Sequence, residues 1–263
     1  MINILSITNK KKIMEGLLGF GKGNAKLGKF ITTFSLLSGW SCPFASDCLS
    51  KVEVDSETGK KRIVDGKDTK FRCFSASQEA VYTNTYNQRK SNFDKVRKLK
   101  TPAIVELIAK SLPKNTTTLR IHVGGDFFNQ SYFDAWLQTA KNRPDILFYA
   151  YTKALPFWIA RINDIPENLK LNASRGGTMD NLIDEYSLKE AVVVYSEEQA
   201  EELGLEIDHD DSHAYKGEES FALLIHGTQP KGSEASDALK ILKTEGWTGY
   251  KKNSSRQKVD VSN

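Results

Sequence analysis

Four short apolar segments, each with a polar end, constrain the fold of this 263-residue chain more than any other feature. They occupy residues 119–123, 146–151, 169–173 and 191–195. Helical patterns follow three of them, at residues 130–141, 156–161 and 197–203. Strands of about five residues that alternate with helices are typical of βα units and a parallel sheet. The sequence therefore predicts an α/β fold of parallel βα repeats, a full or partial TIM-like barrel.

The region before these repeats has a different pattern. Residues 30–37 resemble a strand that runs into a turn, and residues 55–68 carry the turn signal of a β-hairpin. Helical spacing covers residues 76–100 and 102–112, where Pro102 stands in the first turn. The sequence thus predicts an N-terminal region of a cysteine-bearing loop and a hairpin. We expect a basic flexible arm over residues 1–29, a single α/β domain with a metal site over residues 30–250, and a disordered polar tail over residues 251–263.

The charge of the chain is unevenly distributed although its net value is only +4. Residues 10–29 contain six lysines and one acidic residue, and a second basic cluster runs from Arg89 to Lys100. Such runs are commonly solvated faces, and the alternative is weak contact with nucleic acid phosphates through the arm. No apolar run approaches the roughly 18 residues of a membrane span, and no signal peptide is recognisable. These features predict a protein of the cytoplasm with no membrane partner.

Polar residues stand at the ends of the predicted strands, where ligands bind in parallel sheets. Glycine permits close backbone approach to a ligand, an acidic side chain can hold a hydroxyl or amine, and basic side chains can meet a carboxylate or phosphate. Turn formation and helix capping are the alternative roles for the same residues. We predict that the following residues bind a small-molecule cofactor or substrate: Gly124, Gly125, Asp126, Lys153, Ser174 and Arg175.

Three cysteines, Cys42, Cys48 and Cys73, precede the repeats in loop-like sequence. An odd number cannot pair fully, so a disulfide framework is not expected. Three thiolates from loops suit an iron-sulfur cluster or zinc, and the absence of any metal is the third alternative. A cubane [4Fe-4S] cluster on three cysteines leaves one iron for another ligand, and we predict His213, in an acidic loop, as a candidate for it. The catalytic residues are not predicted.

Seven segments carry a resemblance to a known family: Phe34–Lys51, Phe71–Gln78, Gly124–Trp136, Phe148–Leu155, Ala173–Gly177, Asp208–His213 and Leu224–Pro230. Together they resemble the bacteriophage family known as gene product eighty-eight. The resemblance implies a phage-encoded protein that acts in the cytoplasm of the infected host or is packaged in the virion. It covers about residues 30–250 but implies no established reaction.

A more distant resemblance is to the radical S-adenosylmethionine enzymes, in which a cysteine loop precedes βα repeats and a strand ends in a Gly-Gly-Glu-like segment. It implies that the three cysteines hold a cluster and that Gly124, Gly125 and Asp126 meet S-adenosylmethionine. Lys153, Ser174 and Arg175 would line the remaining wall. The cysteine spacing C-x5-C-x24-C departs from the compact C-x3-C-x2-C loop of that superfamily, which puts cleavage of the cofactor in question more than cluster binding.

Three functions follow from these patterns. The first is a cluster-dependent enzyme of radical type, and the second is a redox or iron-sulfur binding protein without that chemistry. The third is a nucleic-acid-binding phage protein whose metal is structural. The substrate, a small molecule or a macromolecule, is not identified by the sequence.

Overall fold

A mostly parallel sheet of eight strands organises the protein in the computed structural model, which describes residues 16–24, 26–247 and 249–250. A separate hairpin contributes two further strands. The sheet confirms the predicted α/β class. In chain order the strands are β1 (Gly21–Lys22), β2 (Ile31–Thr33), β3 (Ser50–Val54), β4 (Lys61–Asp65), β5 (Thr118–Ile121), β6 (Leu147–Thr152), β7 (Leu169–Ser174), β8 (Glu190–Val194), β9 (Glu206–Ile207) and β10 (Phe221–Leu224).

The order of strands across the sheet is β1-β2-β5-β6-β7-β8-β10-β9. Six neighbouring strands, from β2 to β10, are parallel and follow one another in chain order. Doubly wound sheets reverse their strand order in the middle, and this sheet does not. Among the described residues no pairing joins β1 to β9, so the closure of a full barrel, which the sequence allowed, is not confirmed.

Helices cover one face of the sheet and bury the larger core. Trp136, Phe148 and Ile108 are fully buried there, together with alternate residues of β5 and β6. The helices are α1 (Phe74–Val81), α2 (Thr83–Val96), α3 (Thr101–Ser111), α4 (Gln130–Asn142), α5 (Leu155–Ile159), α6 (Asn181–Glu185), α7 (Glu197–Glu202), α8 (Ser212–Tyr215) and α9 (Glu234–Thr244).

The opposite face of the sheet, here called the inner face, is partly polar. Side chains alternate along a strand, so Leu119 and Ile121 enter the helical core while Arg120 lies on the inner face. The Arg120 guanidinium donates to Asp211 at 2.6 Å, and the Tyr149 hydroxyl donates to the same carboxylate at 3.0 Å. Helix α8 and its preceding loop therefore cover one part of the inner face and leave another part open.

Element boundaries differ from the predictions where long-range contacts intervene. The predicted helix over residues 76–100 is two helices, α1 and α2, separated by Tyr82 in an extended conformation. Strand β5 ends at Ile121 because His122 has a positive φ of 65°, which the ladder of a strand cannot accommodate. The hairpin is confirmed, and its strands β3 and β4 begin at Ser50 and Lys61.

The predicted arm is only partly described. Residues 1–15 and the predicted tail at 251–263 lie outside the described residues. The segment from residue 16 onward belongs to the fold, contrary to the prediction of a flexible arm. Leu18 and Leu27 are each 5% exposed, and Lys26 forms ion pairs with Asp208 and Asp211 at 3.1 and 2.8 Å. Burial of these leucines and pairing of β1 with β2 order the segment.

The helices are not membrane spans: within the part of the chain that the structure describes, no helix is both long and apolar enough to cross a bilayer.

Candidate functional site

A cavity opens at the carboxyl ends of the parallel strands, on the inner face of the sheet. Its wall includes segments that lie far apart in sequence, from the cysteine loop to the end of β10. Eight of the ten predicted site residues line it, namely Cys42, Cys48, Cys73, Gly124, Gly125, Asp126, Lys153 and Ser174. The other two, Arg175 and His213, are not among the lining residues. The fold therefore brings together the cysteines and the Gly-Gly-Asp strand end, as the sequence predicted.

Cys42 follows a tight turn after β2. Its backbone N–H donates to the Gly39 carbonyl at 3.3 Å, and Gly39 has a φ of 73° that favours glycine. A Cβ at this position would lie 2.6 Å from the Ser50 carbonyl oxygen, so the turn packs closely against the hairpin. The position of Cys42 thus depends on contact between this turn and β3.

Cys48 is held near the end of β7 by backbone hydrogen bonds. The N–H groups of Ser46 and Asp47 both donate to the Gly176 carbonyl, at 3.2 and 2.9 Å. An isolated bridge also pairs Ala45 with Gly177. The Gly176-Gly177 segment after β7 therefore binds the cysteine loop through backbone contacts.

Cys73 occupies the N-cap position of α1. Its N–H donates to the Ser50 hydroxyl at 3.2 Å. The neighbouring Arg72 is fixed from both sides: its guanidinium pairs with Asp65, and its backbone N–H and carbonyl both bond the Gln229 side-chain amide, at 2.7 and 3.1 Å. Gln229 comes from the loop after β10, so a residue 157 positions from Arg72 in sequence contributes to the position of Cys73.

The three thiols are free and share one electrostatic environment. Burial, followed by the charge of Asp126 and the other two thiols, holds the pKa of Cys42 well above its ordinary value. Burial also raises the pKa of Cys48, with Lys153 opposing it, and raises that of Cys73 to about 11. The thiols are therefore protonated at neutral pH, and their deprotonation requires a positive partner such as a metal.

The Gly124-Gly125 segment is compressed between three elements. Gly125 has a φ of 87°, and a Cβ there would lie 2.5 Å from the Ser41 hydroxyl oxygen. A Cβ on Gly124 would lie 2.7 Å from the Ser75 hydroxyl oxygen. Glycine is needed at both positions because the strand end must approach the Cys42 turn and the start of α1. This close approach is a structural reason for the Gly-Gly sequence in addition to any contact with a ligand.

Asp126 follows β5, is 6% exposed and contacts the end of β6. Its carboxylate accepts hydrogen bonds from the Thr152 hydroxyl at 2.6 Å, from the Lys153 N–H at 2.8 Å and from the Phe127 N–H at 2.7 Å. Burial nevertheless raises its pKa to about 6. A carboxylate has about four acceptor positions, so one remains for a donor inside the cavity.

Lys153 and Ser174 lie together at the cavity wall, whereas Arg175 does not. The Lys153 ammonium donates to the Ser174 hydroxyl and carbonyl, each at 2.8 Å, and thereby connects the ends of β6 and β7. The Arg175 guanidinium pairs with Glu190 and Asp184 away from the cavity. Its predicted contact with a ligand is therefore not supported by its placement.

His213, the predicted fourth ligand, lies in a different place from the cysteines. Its Nδ1 is 3.3 Å from Asp208 and its Nε2 is 3.0 Å from Glu206, so both ring nitrogens already have carboxylate partners. Although burial lowers the pKa of His213, these two carboxylates raise it overall. The histidines that line the cavity are instead His122 and His226.

A buried ion pair behind the cavity was missed by sequence reasoning. Glu79 is fully buried and accepts from the Arg89 guanidinium at 2.9 Å, from the Ser38 N–H at 3.0 Å and from the Ser38 hydroxyl at 2.9 Å. Arg89 also donates to the Ser75 carbonyl at 3.1 Å. The pair thus joins the turn before Cys42 to the helix after Cys73. The sequence signal for this ion pair is the position of Glu79, which stands four residues after Ser75 and therefore on the same buried face of the helix.

Among the residues whose positions are described, no three His, Cys, Asp or Glu side chains form a group that could hold one metal ion. The three thiols share a cavity without forming such a compact set.

The fold and the site together define an α/β protein with a cysteine-lined cavity at the carboxyl edge of a mostly parallel sheet. The family described as Gene product 88 matches residues 4–244, and the chain belongs to this family. The Gene 88 protein of Mycobacterium phage L5 is 25% identical over 162 residues, which are 57% of this chain and 56% of the relative. The match thus spans little more than half of that relative's length. No solved structure matches the chain.

These comparisons confirm the resemblance to a bacteriophage family. The likeness to radical S-adenosylmethionine enzymes is not shown by them and stays a prediction.

Proposed function

We propose that this protein binds a [4Fe-4S] cluster on Cys42, Cys48 and Cys73, and that the adjoining cavity takes S-adenosylmethionine for radical-type chemistry. The observation that carries the proposal is the convergence of three free thiols, from separate loops, on one cavity beside the Gly-Gly-Asp strand end.

The donor set fits a cluster better than it fits zinc. A tetrahedral zinc site would hold its sulfur ligands about 3.8 Å apart, as follows from Zn–S distances near 2.3 Å. A cubane binds each cysteine on a different iron, so its thiolates can stand further apart. Three thiols that reach one cavity from separate loops offer a cluster one ligand for each of three irons.

The neighbouring residues suit a small cationic or amine-bearing ligand. Asp126 lines the cavity with three of its about four acceptor positions occupied, and the backbone of Gly124 and Gly125 lines the same wall. When bound, a reduced cluster supplies the single electron that cleaves the sulfonium bond of S-adenosylmethionine. Asp126 would orient the amine of that ligand. The parallel strands β2 to β10 follow one another in chain order, which supports a partial barrel that would enclose the ligand on the inner face.

The experiment is anaerobic reconstitution followed by visible and electron paramagnetic resonance spectra, with iron, sulfide and zinc counted. Cysteine-to-alanine variants at the three positions should lose the visible absorbance and the iron, and Ser46→Ala in the same loop should keep both. If all three cysteine variants retain wild-type colour, metal content and melting behaviour, the cluster proposal is wrong.

A second measurement tests the chemistry of the cavity. Reduced, reconstituted protein should cleave S-adenosylmethionine to 5′-deoxyadenosine. Asp126→Ala should keep the cluster spectrum and bind the cofactor more weakly. Absence of cleavage by fully loaded wild-type protein would remove the radical-type function. Loss of the cluster in Asp126→Ala would instead assign Asp126 to the metal site.

A redox or iron-sulfur binding protein without this chemistry is the second candidate. The observation that favours it is that three donors from the protein already bond the Asp126 carboxylate, which leaves little capacity for a cofactor amine. This candidate predicts a coloured protein with reversible reduction and no bound adenosyl cofactor.

Nucleic-acid binding has less support from the described residues. Within the predicted basic cluster, Arg89 is buried against Glu79, and Lys90 and Arg97 both pair with Asp94. A binding constant without steep salt dependence would count against this function.

A further inference from the structure

His226 stands at the end of β10 and lines the same cavity as the cysteines. Its ring packs against Phe74, the residue after Cys73, with ring centroids 4.7 Å apart. The Gln229 amide bonds the backbone of Arg72 and also donates to the His226 carbonyl at 3.1 Å. The loop that carries His226 is therefore fastened directly to the loop that carries Cys73.

The hydrogen bond of its Nδ1 determines the tautomer of His226. Nδ1 lies 3.1 Å from the Leu224 carbonyl oxygen, which can only accept, so Nδ1 carries the proton. The lone pair is then on Nε2, which has no hydrogen-bond partner among the described residues. Metal-bound histidines commonly have this arrangement, with the second ring nitrogen donating to a backbone carbonyl.

The other histidine of the cavity is not available in this way. The Nε2 of His122 is 2.9 Å from the Tyr132 hydroxyl, and its Nδ1, although without a hydrogen-bond partner among the described residues, is buried with no accessible surface from which to reach a metal. The two nitrogens of His213 both meet carboxylates.

We infer that Nε2 of His226 binds the iron that Cys42, Cys48 and Cys73 leave open, for as long as no small molecule occupies that iron. The inference rests on the cluster proposed above and does not depend on S-adenosylmethionine chemistry. It assigns to His226 the role that the sequence suggested for His213. A neutral imidazole in place of a fourth thiolate makes the cluster less negative and easier to reduce.

The test is pulsed electron paramagnetic resonance of the reduced, reconstituted full-length protein without any adenosyl cofactor. Wild type should show a strong ¹⁴N hyperfine coupling from a nitrogen ligand. His226→Asn, which keeps a donor for the Leu224 carbonyl, should lose this coupling while retaining the three-cysteine cluster. His213→Ala is the matched control and should keep the coupling. Added imidazole should restore it in His226→Asn.

A further variant adds an independent measurement. His226→Cys should keep the cluster, lose the nitrogen coupling and shift the midpoint potential to a more negative value. If wild-type protein holds a cluster on the three cysteines but shows no coupling that His226→Asn removes, the assignment of His226 is wrong and the cluster proposal stands. If wild type assembles no cluster, the proposed function fails, and this inference fails with it.

Discussion

The buried ion pair between Glu79 and Arg89 permits a quantitative prediction. The substitution is Arg89→Met, which keeps much of the side-chain volume and removes the guanidinium. Glu79 is 0% exposed, and its Oε2 has no partner among the described residues. Burial already raises the pKa of Glu79, with Arg89 the chief opposing influence. Removal of Arg89 should therefore raise this pKa further.

The size of the effect follows from the cost of protonating the carboxyl. An unpaired buried carboxylate costs about 3–5 kcal/mol, but the group can take up a proton instead. At pH 7 that alternative costs about 1.4 kcal/mol for each pH unit above the unfolded-state pKa of the glutamate, which makes about 3.5 kcal/mol. The folded state binds the proton more tightly than the unfolded state, so stability falls as pH rises. We expect a destabilisation of about 3.5 kcal/mol at pH 7 that shrinks by about 1.4 kcal/mol per pH unit toward pH 5.

The assay is urea unfolding of cluster-free protein, followed by tryptophan fluorescence at several pH values. Lys90→Met on the same helix removes a half-exposed ion pair and should cost less than about 0.5 kcal/mol at any pH. The double variant Glu79→Gln with Arg89→Met should lose the added pH dependence. A loss in Arg89→Met below about 1 kcal/mol, or one that does not vary with pH, would refute this account of the pair.

Three further predictions concern residues that shape the cavity. Gly125→Ala should lower the free energy of unfolding, measured in urea, by about 2 kcal/mol or more. The reason is that Gly125 has a φ of 87° and that a Cβ there would lie 2.5 Å from the nearest atom. The control Gly204→Ala, at a φ of 66° but in open space, should cost clearly less, and equal losses would contradict the packing argument. Alkylation of Cys73 in the metal-free protein, followed by mass spectrometry, should be about 100-fold slower at pH 8 than for an ordinary thiol, since its pKa is about 11; a normal rate would show that the thiol is not so buried. Gln229→Ala should reduce the iron retained after dilution while Gln138→Ala, at an exposed helix position, should not, and equal retention would show that the amide does not position Cys73.

Local patterns were sufficient to predict the βα units. Residues 119–123, 146–151, 169–173 and 191–195 each correspond to a strand, β5 to β8, with boundaries within about two residues, because apolar alternation and turn residues act over a few positions. The same logic located the strand ends, so the Gly-Gly-Asp segment and Lys153 could be assigned to one edge of the sheet before any coordinates. The cysteines were recognised by their loop context.

Contacts between distant residues decided the rest. Gln229 reaches Arg72 across 157 positions, and Glu79 reaches Ser38 across 41, and neither pairing leaves a periodic trace in the sequence. The placement of His213 was of the same kind, since its acidic neighbourhood suggested a metal ligand, whereas in the fold Asp208 and Glu206 already contact both ring nitrogens. Residue types and strand ends thus determined where chemistry could occur. Only the tertiary structure decided which side chains share the cavity, because burial and pairing depend on segments that meet in space.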